Sequence, residues 1–173
     1  YDGGGYGHLV GVDGLFLLDK KWRLSFEMFK NFNKEPVQNW IETDETIQGR
    51  TIALDGDKIN GDALYVQLYR NTEHWQSYFF YRNISPQYRA DVGFVVKNNR
   101  RWGTVFHQYQ NIINKPGLQS FGFGTKIDVV YTFEDLFKNF SVDFFAFLTT
   151  FGQTELKYTV DYDAVKTFLG IRY

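Results

Sequence analysis

Large apolar side chains fall on every second residue in strand-length stretches along most of this chain, and that spacing restricts the fold more than any other feature. Phe121, Phe123, Ile127, Val129, Tyr131 and Phe133 occupy odd positions, with Gly122, Gly124, Lys126 and Asp128 between them. The next stretch carries Phe140, Val142, Phe144, Ala146 and Leu148 on even positions. Leu24, Phe26 and Met28, then Leu64, Val66 and Leu68, repeat the pattern earlier. A period of two is the strand period, so each segment has one apolar face and one wetter face. Such strands suit a sandwich, a soluble barrel, or a membrane barrel with its apolar side toward lipid.

Eight strands are predicted, over about 6–18, 22–33, 62–70, 74–82, 101–112, 118–133, 139–151 and 154–161, with a ninth beginning over 165–173. No segment shows a helical period. The fold class predicted is all-β: an antiparallel up-and-down meander of about 8–9 strands forming a transmembrane β-barrel or part of one, in a single domain over 1–173. The strands run roughly 9 to 15 residues, against about 5 to 6 in soluble sheets and ~9–11 for a tilted bilayer crossing. Two long loops are expected, about 34–61 and 83–100. Early connections alternate short and long, as in outer-membrane barrels, and later ones stay short.

Composition narrows the function classes. Eighteen Phe, twelve Tyr and four Trp exceed what a core of this size needs, and Tyr and Trp favour the membrane interface. The net charge of −1 supplies no basic field for nucleic acid. The lack of cysteine excludes disulfides and thiolate metal sites. No run of ~20 apolar residues exists, which excludes a helical bundle and leaves a barrel open.

The loop 83–101 reads NISPQYRADVGFVVKNNRR. On Ile84-Ser85-Pro86, Tyr88, Arg89 and Asp91-Val92-Gly93-Phe94-Val95, supported by Gly61-Asp62-Ala63 and Tyr6 to Asp13, the chain resembles a family of Gram-negative outer-membrane proteins. That family joins an N-terminal domain like a family 9 carbohydrate-binding module to a C-terminal barrel of uncharacterised function. Lys97-Asn98-Asn99 departs from the arginine and acidic residues of the family pattern. The resemblance implies an outer-membrane location, membrane lipid as partner, polysaccharide as a partner through an upstream domain, and further sequence on either side of this piece. It brings no catalytic residue.

Physically, Pro86 cannot donate to a ladder and forces a loop. Gly93 beside Phe94 suggests a turn that folds the ring back. Arg89 and Asp91 share a face if extended, and could pair inside a lumen. Pro86, Arg89, Asp91, Gly93 and Phe94 are thus read as a structural loop motif, a plug anchored by aromatics.

No chemistry stands out elsewhere. His8, His74 and His107 lack metal-ligand spacing. Ser120 and His107 sit on neighbouring strands at unmatched offsets. Asp55-Gly56-Asp57 does not complete a calcium loop, and the glycines of residues 2–7 precede a strand where a dinucleotide site needs a helix. No cofactor, metal or catalytic residue is nominated, and the chain reads as a non-enzyme. Wetter faces carry Arg23, Glu27, Gln67, Gln108, Gln110, Lys126, Asp128, Lys157 and Asp161, interleaved with Tyr65, Tyr69, Phe145, Phe147 and Phe151, so the interior is expected to be partly packed. Two other readings stay open: a soluble or secreted β-barrel or sandwich binding a hydrophobic or carbohydrate ligand, and an outer-membrane hydrolase.

Overall fold

A computed structural model describes residues 4–38, 46–47, 50–51, 54–88, 98–134, 136–150 and 154–165. The protein is an all-β antiparallel meander, and no helix occurs among the described residues. Eight long strands build one sheet: β1 (Tyr6–Leu17), β2 (Trp22–Lys34), β7 (Lys58–Asn71), β8 (Trp75–Ile84), β9 (Arg100–Lys115), β10 (Leu118–Tyr131), β11 (Phe137–Thr149) and β12 (Glu155–Val165). They pair in that order, each with its chain neighbour. Four two-residue strands decorate the link between β2 and β7: β3 (Val37–Gln38) pairs with β6 (Leu54–Asp55), and β4 (Thr46–Ile47) with β5 (Arg50–Thr51). The expected ninth strand over 165–173 lies, apart from Val165, outside the described residues.

The registers show what alternation achieves. One row of cross-strand neighbours runs Phe16, Leu24, Leu68, Phe79, Val105, Ile127, Val142, Tyr162 across all eight strands. The adjacent row on the same face runs Gly14, Phe26, Val66, Tyr81, Gly103, Val129, Phe140, Ala164. Neither row holds a charge or an amide. Met28, Phe79, Val105, Phe123 and Phe144 on this face are each exposed by 44% or more.

The opposite face is polar and aromatic, and it is the buried one. Every buried strand residue belongs to it: Asn31, Asn33, Ile59, Gly61, Ala63, Ile84, Thr104, Ser120, Gly122, Asp128 and Val130. Among the described residues the other sheets are two-stranded only. Burial on one side of a single sheet fits curvature, which crowds side chains on the concave side, and over Gly61, Ala63 and Ile84 the turn carrying Tyr88 adds to it. The usual rule of apolar inside and polar outside is inverted here.

Phe16 is next to last in β1, whereas its row ends at Tyr162, beyond the midpoint of β12. The strands are therefore staggered, as tilted barrel strands are. The 12 residues of β1, at roughly 3.3 Å each and a tilt of about 40°, rise roughly 30 Å.

All short connections between long strands except one lie at one end of the sheet. Leu18–Lys21, Thr72–His74, Pro116–Gly117 and the connection from β11 to β12 share it; the connections from β2 to β7, from β8 to β9 and from β10 to β11 belong to the other. Side-chain bonds fix the tips. Asp19 Oδ1 accepts from the amides of Lys21 (2.5 Å) and Trp22 (2.8 Å). Thr72 Oγ1 accepts from the Trp75 amide at 3.0 Å. Asn114 (φ 52°) and Gly117 (φ 86°) supply the left-handed conformations of the β9–β10 turn.

Candidate functional site

The concave face carries the polar chemistry, in registered rows. One runs Asp13, Glu27, Tyr65, Arg82, Trp102, Val130 from β1 to β10, and the next Leu15, Ser25, Gln67, Phe80, Thr104, Asp128. Side chains on β8, β9 and β10 meet where these rows pass. Trp102 Nε1 donates to Asp128 Oδ1 at 3.0 Å, and the Thr104 hydroxyl donates to the same oxygen. Lys126 pairs with Asp128 Oδ2. The side chain of Asp128 is only 10% exposed. Three donors on both oxygens are what keep a carboxylate tolerable there.

Arginines on this face are held by rings. The Arg82 guanidinium lies 4.7 Å from the Tyr65 ring centroid, 5.1 Å from Phe80 and 5.7 Å from Trp102. Arg100 lies 4.8 Å from Trp102, and Arg23 lies 5.3 Å from Tyr69. Aromatic faces attract cations electrostatically, at about 0.5–2 kcal/mol each.

Further along β9–β12 a shallow cleft of about 410 Å³ is lined by Phe106, Gln108, Lys126, Asp143, Phe145 and Lys157, among others. Phe106 and Phe145 stack at 5.9 Å. The rings lie flat because glycines face them. A Cβ on Gly124 would sit 2.6 Å from Phe145 Cζ, and one on Gly122 would sit 2.5 Å from Phe147 Cζ. Phe29 covers Gly11 in the same way. Rings laid over strand glycines help pin register in curved sheets.

The loop motif is entered but not completed within the described residues. Ser85, Pro86, Gln87 and Tyr88 leave β8 and fold back over the concave face. Ser85 N donates to Asp62 O at 2.9 Å, and Asp62 N donates to Ser85 Oγ at 2.8 Å. Tyr88 packs with Ala63 and Ile84, beside Phe29 and Tyr65. Burial pushes the Tyr88 phenol above its ordinary value, with Tyr65 adding to the shift. Pro86 O accepts from Asn98 Nδ2 at 2.7 Å. Arg89, Asp91, Gly93 and Phe94 lie outside the described residues.

At the β10–β11 turn the Thr132 hydroxyl, the residue's own backbone amide, the Asn99 amide and Lys138 hold the Glu134 carboxyl below its ordinary value. Glu134 accepts from Asn99 Nδ2 at 3.2 and 3.3 Å, and Asn99 Oδ1 accepts from the Phe133 amide at 3.0 Å.

The histidines are dispersed. His74 Nδ1 lies 3.3 Å from Gln110 O in a turn. His107 is on the convex face, 2.7 Å from Ser77 Oγ and stacked on Trp75 at 4.7 Å. Ser120 faces the concave side opposite Ile112, so it does not meet His107. Asp55 and Asp57 form a tight turn around Gly56, with Asp57 N donating to Asp55 Oδ1 at 3.2 Å. Among the described residues no group of three His, Cys, Asp or Glu could hold a metal ion.

Sequence reasoning places Lys126 and Asp128 on the wet face but misses their partners. Trp102, Thr104, Arg82 and Arg100 come from two other strands, and only the register joins them. No family model, no curated protein and no solved structure matches the chain.

Proposed function

We propose that this chain is the wall, or part of the wall, of an outer-membrane β-barrel with a structural or transport role, its convex face against acyl chains and its concave face lining a polar, partly packed lumen. The observation that carries this reading is the inverted amphipathicity: two registered rows without a charge or amide cross all eight strands on the exposed side, while Asp128, Thr104 and Asn31 are buried on the other. A soluble sheet with that exterior would present a contiguous apolar patch far larger than water tolerates.

The ends of the convex face support the same reading. Trp75 packs on Tyr109 at 5.0 Å, and Tyr109 on Phe123 at 5.5 Å, toward the short-turn end. Trp22 sits there too, under the Arg70 guanidinium at 5.6 Å. Tyr131 meets Phe137 at 5.7 Å toward the opposite end, where Lys30 and Asp62 pair at 3.5 Å. Aromatic girdles with charges beyond them flank an apolar band ~25 Å tall in barrels of this kind. Within the band Ser77 Oγ meets His107 Nδ1 at 2.7 Å, and Thr125, opposite His107, is left with a hydroxyl that has no partner among the described residues. The link to glycan handling through an upstream domain rests on the loop motif of the sequence.

The test is topological. The chain is folded into vesicles whose acyl chains carry bromine, and emission from Trp22 and Trp75 is compared with that from Trp102. Quenching of the first two with Trp102 spared supports a lipid-facing convex side. Equal quenching, or a soluble folded monomer needing no detergent, would overturn it.

A further inference from the structure

The concave face brings two arginines together on one ring. Arg82 and Arg100 lie on neighbouring strands, each against the Trp102 ring, and near enough to repel each other. Among the described residues neither has a carboxylate within ion-pair distance. The carboxylate nearest in chemistry is Asp128, which Arg100 feels electrostatically. Both Asp128 oxygens are already engaged, by Trp102 and Thr104 on one side and Lys126 on the other. Asp128 is thus engaged by Lys126, which Asp143 also faces, and Glu27 shares a shallow hollow with Arg82 without forming an ion pair. Among the described residues the buried Arg82 Nε–H has no acceptor. A buried donor without a partner is costly and rare in native folds.

We propose that Arg82 and Arg100 form an oxyanion-recognition site on the luminal wall, taking a phosphate or carboxylate group of a passing solute, with Trp102 fixing the two guanidiniums between its ring and the neighbouring rings. The site rests on the reading of the concave face as a lumen. Guanidinium groups present forked donors that match planar and tetrahedral oxyanions. Ring contacts hold each cation without saturating those donors, which a carboxylate partner would do. Spherical chloride gains the charge but not the fork, so the site prefers oxyanions.

Two measurements separate the site from the barrel. In detergent, the full chain with Trp22, Trp40 and Trp75 replaced by Phe leaves Trp102 as the sole fluorophore. Titration with inorganic phosphate is expected to change its emission saturably, with chloride much weaker. The pair R82Q and R100Q is expected to weaken phosphate binding about tenfold or more, in line with lost charge-assisted hydrogen bonds. The pair R82K and R100K retains the charge and loses the preference for phosphate over chloride. R70Q removes one positive charge from the opposite face and leaves binding unchanged. In planar bilayers under a salt gradient, the reversal potential of the unaltered chain is expected to lie further toward anions than that of R82Q/R100Q. No saturable phosphate response in the parent protein, or an equal response in R82Q/R100Q, overturns the site. Phosphate binding without any bilayer conductance retains the site and removes the lumen around it.

Discussion

The amide nitrogen of Tyr88 occupies the space in which Gly61 would carry a side chain: a Cβ there would lie 2.3 Å from Tyr88 N and 2.4 Å from Tyr88 Cα. The obstruction is backbone, so no rotamer relieves it. This contact seats the turn that follows β8 on the concave side of β7.

Gly61→Ala is therefore expected to expel Ser85–Tyr88 from the wall or to destabilise the sheet by about 1–3 kcal/mol, the usual cost of overpacking. Hydrogen exchange at the Ser85 and Tyr88 amides, bonded to Asp62 O and Ser85 O, reads the first outcome. A denaturant midpoint in detergent reads the second. Unchanged exchange and an unchanged midpoint would mean that the turn does not sit on Gly61.

Neighbouring residues on β9 should respond oppositely to the same charge. Val105 lies in the convex apolar row and Thr104 on the concave face. Val105→Arg is expected to destabilise the vesicle-folded state by roughly 3 kcal/mol, as a cation at mid-membrane does. Thr104→Lys should be better tolerated in the bilayer, although it removes one donor from Asp128. Folding yield into vesicles, measured for both, checks the contrast. An equal loss would argue against a lipid-facing Val105.

Asp128→Leu leaves Lys126 and the Trp102 indole N–H without their acceptor. The carboxylate is nearly buried while Lys126 is about one-third exposed, so the expected loss is about 1–3 kcal/mol, below that of a fully buried pair. Trp102 emission should shift as its donor is freed. Asp128→Asn keeps an acceptor for Trp102 and should recover part of the loss.

The Glu134 carboxyl is depressed in the folded turn, first by the Thr132 hydroxyl, with help from its own backbone, Asn99 and Lys138. A depressed folded pKa contributes stability above the ordinary carboxylate value. That contribution fades as pH falls from about 4.5 through the folded value. Protection of the Phe133 amide, bonded to Asn99, should fall in this acid window. Glu134→Gln should abolish that pH dependence; a window persisting in the variant would assign it to another group.

Most of the sheet was legible because a period of two needs no tertiary information. β1 and β2 lie within a residue of their expected ends, and the Pro116–Gly117 turn is where its residues put it. The start of β7 was not legible. Lys58–Gly61 sits among glycines and acids that signal a loop, yet Ile59, Gly61 and Ala63 alternate onto the concave face, and Gly61 is needed for Tyr88. β9 likewise begins at Arg100 and runs on to Lys115, past a polar end that reads as loop. β10 stops at Tyr131 because Thr132 turns the chain, with its amide bonded to Leu136 O at 3.0 Å. The cluster around Asp128 was legible only as parity: Lys126 and Asp128 share a face, but their pairing with Trp102 and Thr104 depends on a register set by the whole meander.

The uneven distribution of connections between the two ends has a kinetic consequence. For the proposed barrel the connections at one end must cross hydrocarbon on insertion, and the tips at Leu18–Lys21, Thr72–His74 and Pro116–Gly117, only a few residues long, are not the ones that do. In outer-membrane barrels the short turns stay on the periplasmic side, from which the chain arrives, and the longer connections, β2 to β7 and β8 to β9 here, are carried across. On the proposed reading insertion is directional, and carrying the two long connections across is its slow step.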